Sequence, residues 1–233
     1  MFKTTPTHVR YTLRVLSRLL GYPDAQLFAD LAPMIDALRM EGALPRARID
    51  EIAQLAQHLN TLGEWEAQAR YVDLFDRGHK TSLHLFEHIH GDSRDRGPAL
   101  VDLQQTYEKA GLMFDANELP DHLPVVLEFA STQPPNIAQE FLGEMVEILN
   151  AIFSALVHKD SPYACVLAAV LELAGAKAHA VAIDPEPDMD ETWMEPEAFI
   201  GCSTQGQAKP GAAQPMHFVR KSEFSNQSQG VSA

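Results

Sequence analysis

Apolar residues recur three or four positions apart along most of this 233-residue chain, and nearly every such run ends at a glycine. That spacing places the apolar side chains on one face of a helix, whereas a half-buried strand needs strict alternation. Val9, Leu13, Leu16 and Leu20 form the first stripe. Thr5 or Thr7 can cap it with Pro6 in the opening turn, and Gly21 and Pro23 stop it. Asp24 starts a second helix carrying Leu27, Phe28, Leu31, Ile35 and Leu38, which Pro33 is expected to kink or divide. Ile49, Ile52, Leu55, Ala56 and Leu59 make a third stripe, closed by Gly63, and Trp65, Ala69, Val72 and Phe75 a fourth that ends at Gly78. Further along, Pro98 opens a helix with Val101, Leu103 and Tyr107. From Asn136 a long one carries Ile137, Phe141, Met145, Ile148, Ile152 and Leu156. Ser161-Pro162 then begins a helix with Val166, Ala169, Val170 and Leu173, stopped at Gly175. No stretch keeps period two for long, and no Asn-Gly turn joins apolar runs. The expected fold is all-α, a single multi-helix bundle over residues 1–183.

At Asp184 the composition changes. Seven acids and three prolines fall between Asp184 and Glu197 without one base, and the rest is rich in Gly, Ser, Gln, Ala and Pro. Such a segment buries too little apolar surface to offset its chain entropy, so 184–233 is expected to be a disordered tail. Trp193 within it is expected to dock on the protein's own groove or on a partner, because a lone indole is costly to leave in water. The formal net charge is −14; the tail holds eight acids and three bases, which leaves the 1–183 body at −9. A surface of that sign repels phosphate backbones and attracts basic peptides, so no nucleic acid is expected as a partner. The two cysteines, Cys165 and Cys202, are far apart, which fits a reducing compartment rather than a disulfide framework. The opening MFKTTPTHVRYTLRVLSRLL reads as an amphipathic helix, not a signal peptide, and no window of eighteen apolar residues exists. A cytoplasmic protein, not integral to a membrane, is the expectation. No cysteine-rich or glycine-rich signature is present, so no cofactor is expected in the chain itself.

The chemistry-bearing residues gather between Tyr71 and Asp102. A short helix from Thr81 or Ser82 to Gly91 would put Leu83, Leu85, Phe86 and Ile89 on one side and His84, Glu87 and His88 on the other. His84, Glu87 and His88 match H-x-x-E-H, in which two imidazoles share a metal and the glutamate acts as base, so a metal-dependent hydrolase is one reading. It lacks an evident third ligand, and no metal is expected. A polar helix face is the second. The third is client binding: an imidazole donates or accepts and switches near neutral pH, which suits a surface that grips a peptide and later releases it. His90 belongs to the same run. Arg94 and Arg96, flanked by Asp92 and Asp95, either pair locally or present guanidinium forks to a client. Glu118, Asp121 and His122 form a second polar group, in which Asp121 would cap a helix holding Leu123, Val126, Leu127 and Ala130. Tyr71, Phe75 and Tyr107 line either core or groove.

The run SLHLFEHIHGDSRDRGPALVDL, preceded by YVDLFD and followed by NELPDHLPVVLEF, resembles the delta-subunit family of respiratory nitrate reductase. These are NarJ-type molybdenum-cofactor assembly chaperones, relatives of the TorD-like chaperones, whose E-P-x-D-H signature Glu118, Asp121 and His122 resemble with one residue inserted. The likeness spans roughly Tyr11 to Phe199. It implies an all-helical cytoplasmic protein with no enzymatic activity. Its partner would be the apo catalytic subunit of respiratory nitrate reductase, including that subunit's N-terminal segment, with contact to molybdenum cofactor delivery proteins also possible. The client-binding residues it implies are Tyr71, Phe75, His84, Glu87, His88, His90, Arg94, Arg96, Tyr107, Glu118, Asp121 and His122.

Overall fold

The structure, a computed structural model, describes residues 8–91, 93–113 and 118–181. Thr5, Pro6, Thr7, Asp92 and the tail with Trp193 lie outside the described residues. Among the described residues ten α-helices follow one another: α1 (Arg10–Leu20), α2 (Ala25–Glu41), α3 (Arg46–Leu62), α4 (Glu64–Tyr71), α5 (Glu87–His90), α6 (Arg96–Lys109), α7 (Leu123–Thr132), α8 (Pro135–Gly143), α9 (Val146–His158) and α10 (Ala164–Leu173). Among the described residues there is no strand, only one isolated antiparallel bridge between His84 and His122. The all-α expectation holds.

α1 is the central element. Leu13, Leu16, Leu19 and Leu20 are fully buried, and the helix packs on α7, α2 and α10. Its N-cap, Val9, has no side chain able to satisfy the first amide groups. The Glu41 carboxylate from the end of α2 does so instead, accepting the Tyr11 N–H at 3.0 Å and the Thr12 N–H at 2.6 Å. At the other end Tyr71 donates its hydroxyl to the Leu20 carbonyl at 2.8 Å, tying α4 to α1. Asp24 caps α2 as its sequence predicts, its carboxylate accepting the Leu27 N–H at 2.8 Å.

Four local expectations are corrected. Pro33 does not divide α2, which runs unbroken from Ala25 to Glu41 because Leu27, Leu31, Met34, Ile35 and Leu38 bury one continuous face. The buried row of α4 is Ala67, Tyr71 and Phe75, while Trp65 is 88% exposed and Ala69 is also outside. The chain leaves α4 through one π-helical turn, Val72–Asp76, which brings Phe75 inward against Tyr71 and Tyr163. The long helix from Asn136 is two helices, α8 and α9, bent by 72°. Its core row is Ala138, Leu142, Met145, Leu149, Ile152 and Leu156, so Ile137, Phe141 and Ile148 fall beside that row rather than in it. Lastly, residues 82–86 are not helical and α5 has only four residues. Leu83 and Leu85 are buried with His84 between them, a strand-like alternation that long-range pairing with the 121–123 backbone stabilises over a local helix. No single helix among the described residues is long and apolar enough to cross a membrane.

Candidate functional site

The 82–91 segment meets the loop preceding α7. The Leu123 N–H donates to the Leu83 carbonyl at 2.8 Å, and the Leu85 N–H to the Asp121 carbonyl at 3.1 Å. Asp121, 0% exposed, accepts the Phe86 N–H at 3.0 Å through its side chain. It does not cap α7: His122 holds that position, and makes no side-chain capping bond. The carboxylate has been drawn away to an amide 35 residues distant, where it is sealed from water.

Around this carboxylate the polar side chains of both segments converge. His84 Nδ1 lies 3.6 Å from Asp121 Oδ1, too far for a hydrogen bond and an ion pair when His84 is protonated, and the His84 and His122 rings stack with centroids 4.9 Å apart. The close contact with Asp121 raises the His84 pKa above its usual value although burial opposes it. Burial alone would raise Asp121, but His84 and the Phe86 N–H outweigh it and hold the carboxyl low. His122 is pushed down to about 4, first by burial and then by repulsion from His84. Glu118 reaches His122 Nδ1 at 3.6 Å. The electrostatics thus separate the two imidazoles, shifting His84 toward its protonated form and His122 toward its neutral one.

On the far side of the segment Glu87 is held by Arg96 at 3.1 Å and by the Ser82 hydroxyl at 2.5 Å. Arg96 therefore pairs across the loop and not with its neighbour Asp95, and it opens α6 instead of standing in a loop. Arg94 is exposed and makes no ion pair among the described residues. His88 Nε2 contacts the Ser82 carbonyl at 2.9 Å, and the His90 ring meets Phe86 edge-on. The H-x-x-E-H geometry does not form: with 82–86 outside any helix, His84 turns to Asp121, His88 to Ser82, and Glu87 is occupied by Arg96. Among the described residues no group of three or more His, Cys, Asp or Glu side chains could hold a metal ion. Tyr71, Phe75 and Tyr107 are all buried in core clusters. Tyr107 also donates to the Pro120 carbonyl at 2.8 Å, fixing the 118–122 loop against α6.

Beside this polar junction lies an open apolar groove of about 590 Å³. Phe86 and Ile89, Ala99 and Leu103 of α6, Ile137 and Phe141 of α8, Met145 at the α8–α9 junction and Ile148 of α9 line it. Asp102, Glu140 and Glu144 stand on its rim. Sequence reasoning placed Ile137, Phe141 and Ile148 in the core and so missed the groove. The available signal was width: α8 and α9 carry two adjacent apolar rows, more than one buried face requires.

The described residues thus define a helical domain with an open apolar groove beside a buried polar junction. The same fold occurs in an Archaeoglobus fulgidus protein assigned to redox enzyme maturation, with a TM-score of 0.51 over 74% of this chain and 95% of that one, at 24% identity. The chain belongs to the nitrate reductase delta subunit family, which residues 42–169 match. It is 39% identical over 193 residues to the Escherichia coli nitrate reductase molybdenum cofactor assembly chaperone NarJ, covering 78% of this chain and 82% of that one. A Bacillus subtilis protein, described as a probable chaperone of that name, is 34% identical over 177 residues, 73% of this chain and 94% of its own.

Proposed function

We propose that this protein is a system-specific chaperone of nitrate reductase assembly and not an enzyme. It binds the apo form of the molybdenum-containing catalytic subunit and holds it competent for molybdenum cofactor and iron–sulfur insertion before membrane assembly. The observation that carries the reading is the apolar groove with its acidic rim, in a chain whose relatives are named as chaperones of this process. An amphipathic helix laid into the groove would bury its apolar side against Phe86, Ile89, Ile137 and Phe141 and place its cations toward Asp102, Glu140 and Glu144. The client's N-terminal segment is the occupant we propose. Mechanistically the chaperone needs no bond chemistry. It binds the unfinished client better than the finished one, so insertion of the cofactors and folding of the segment into the mature enzyme release it. Molybdenum cofactor delivery proteins are the further partners we propose, and their co-purification with the client-bound chaperone is the test.

Calorimetric titration with a peptide from the client's N-terminus tests the groove. Ile89 and Ile137 are exposed, and both line the groove. Replacing either by Glu should leave the fold intact and weaken binding about tenfold or more, as expected of a central apolar contact. Unchanged affinity in both variants would place the client elsewhere.

A further inference from the structure

One part of the groove lining has little structure of its own. Phe86 and Ile89 sit in and beside a four-residue helix, preceded by a non-helical stretch, and an isolated turn of that length is unstable in water. Its support comes from outside, and most of it from one residue. Asp121 accepts the Phe86 N–H through its carboxylate and the Leu85 N–H through its carbonyl, while its second carboxylate oxygen faces His84. The Glu87–Arg96 pair fastens the other end to α6. Phe86 in turn packs against both core clusters, one of them built from Leu103, Tyr107 and Phe129. A fully buried carboxylate is expensive, and this one does not serve as the cap of α7.

We propose that Asp121 is a positioning residue for the client groove: by holding the Phe86 amide it fixes Phe86 and Ile89 as the surface against which the client packs. Asp121 never touches the client; it acts through Phe86. This assignment rests on the groove being the client site. It also changes what the Asp121–His122 pair means, from contact residues to the brace behind the contact.

Two measurements test it. In the free protein, amide hydrogen exchange at Phe86 should rise at least about tenfold in Asp121→Ala, the order expected when a bond to a charged acceptor is lost. Amides within α1 and α10 should keep their protection. Asp121→Asn, whose amide oxygen can still accept the Phe86 N–H, should restore slow exchange. In titrations with the N-terminal client peptide, Asp121→Ala should weaken binding about tenfold in the wild-type background yet add little to Phe86→Ala, because coupled residues do not sum. Should Asp121→Ala fail to fold, Asp121→Ser, whose hydroxyl is shorter, takes its place in both measurements. Unchanged exchange at Phe86, an Asn variant as defective as the Ala one, or full additivity with Phe86→Ala would overturn the proposal. If Ile89→Glu and Ile137→Glu leave peptide binding intact while exchange at Phe86 responds as described, the client site is wrong and the brace stands.

Discussion

His122 is a histidine that the fold keeps neutral. Buried beside a second imidazole, it has a pKa near 4, against about 6.5 in an unfolded chain. As pH falls below 6.5 the unfolded chain takes up a proton that the folded chain refuses, so the stability present above that pH is lost progressively down to about 4. In full the loss is on the order of 3 kcal/mol. His84 has the opposite sign. Its pKa is raised, so its contribution is complete below the unfolded value and disappears as pH rises through the folded one. Urea unfolding at pH 7 and pH 5 should therefore show a smaller acid loss in His122→Gln than in wild type; an identical loss would mean that His122 is protonated in the folded state. The residue types at this junction were visible in the chain. Their pairing was not: nothing in the spacing of Asp121 says that its carboxylate reaches Phe86 and leaves α7 uncapped.

At the scale of elements, α1, α3 and α10 are where the expected apolar row is buried and the expected glycine stands at the end of the element, because the buried residues of each meet one core. Expectation failed where tertiary contacts outbid local preference. α2 keeps Pro33 in its interior although the ring removes one backbone bond and crowds the preceding turn. Because Pro33 is exposed and its neighbours already hold the helix, Pro33→Ala should stabilise the protein by about 1–3 kcal/mol. A urea midpoint that stays put or falls would show that the proline ring is needed for packing. The 82–91 segment failed in the other direction. Its helical pattern is real over four residues, but Leu83 and Leu85 gain more by alternating into the core beside Asp121 and Leu123. For α8 and α9, the 72° bend turns a single expected stripe into two rows, one for the core and one for the groove.

For the whole molecule, an acidic rim around an apolar groove predicts a two-part salt response. Affinity for a cationic client peptide should fall as salt rises, since exposed charges are screened beyond about 10 Å at 0.1 M, but apolar docking should persist. Loss of all binding at high salt, or none at all, would remove one half of that picture. The described body ends in a short strap along α9: the His179 N–H donates to Asn150 Oδ1 at 3.1 Å and the Val181 N–H to Ser154 Oγ at 3.1 Å. We propose that residues 1–183 form a complete domain. A chain ending there should melt within a few degrees of the full chain and bind the same peptide, and a large drop in melting temperature would refute that boundary. By itself the sequence determined the helical class, most of the α1, α2, α3, α7 and α10 faces, the acidic character and the family, because period, charge and motif are local properties. Only the tertiary structure decided which apolar rows stay outside, which partner each charged group takes and where a helix gives way to a non-helical segment. Those outcomes depend on residues tens of positions apart, and spacing along the chain does not encode distance across it.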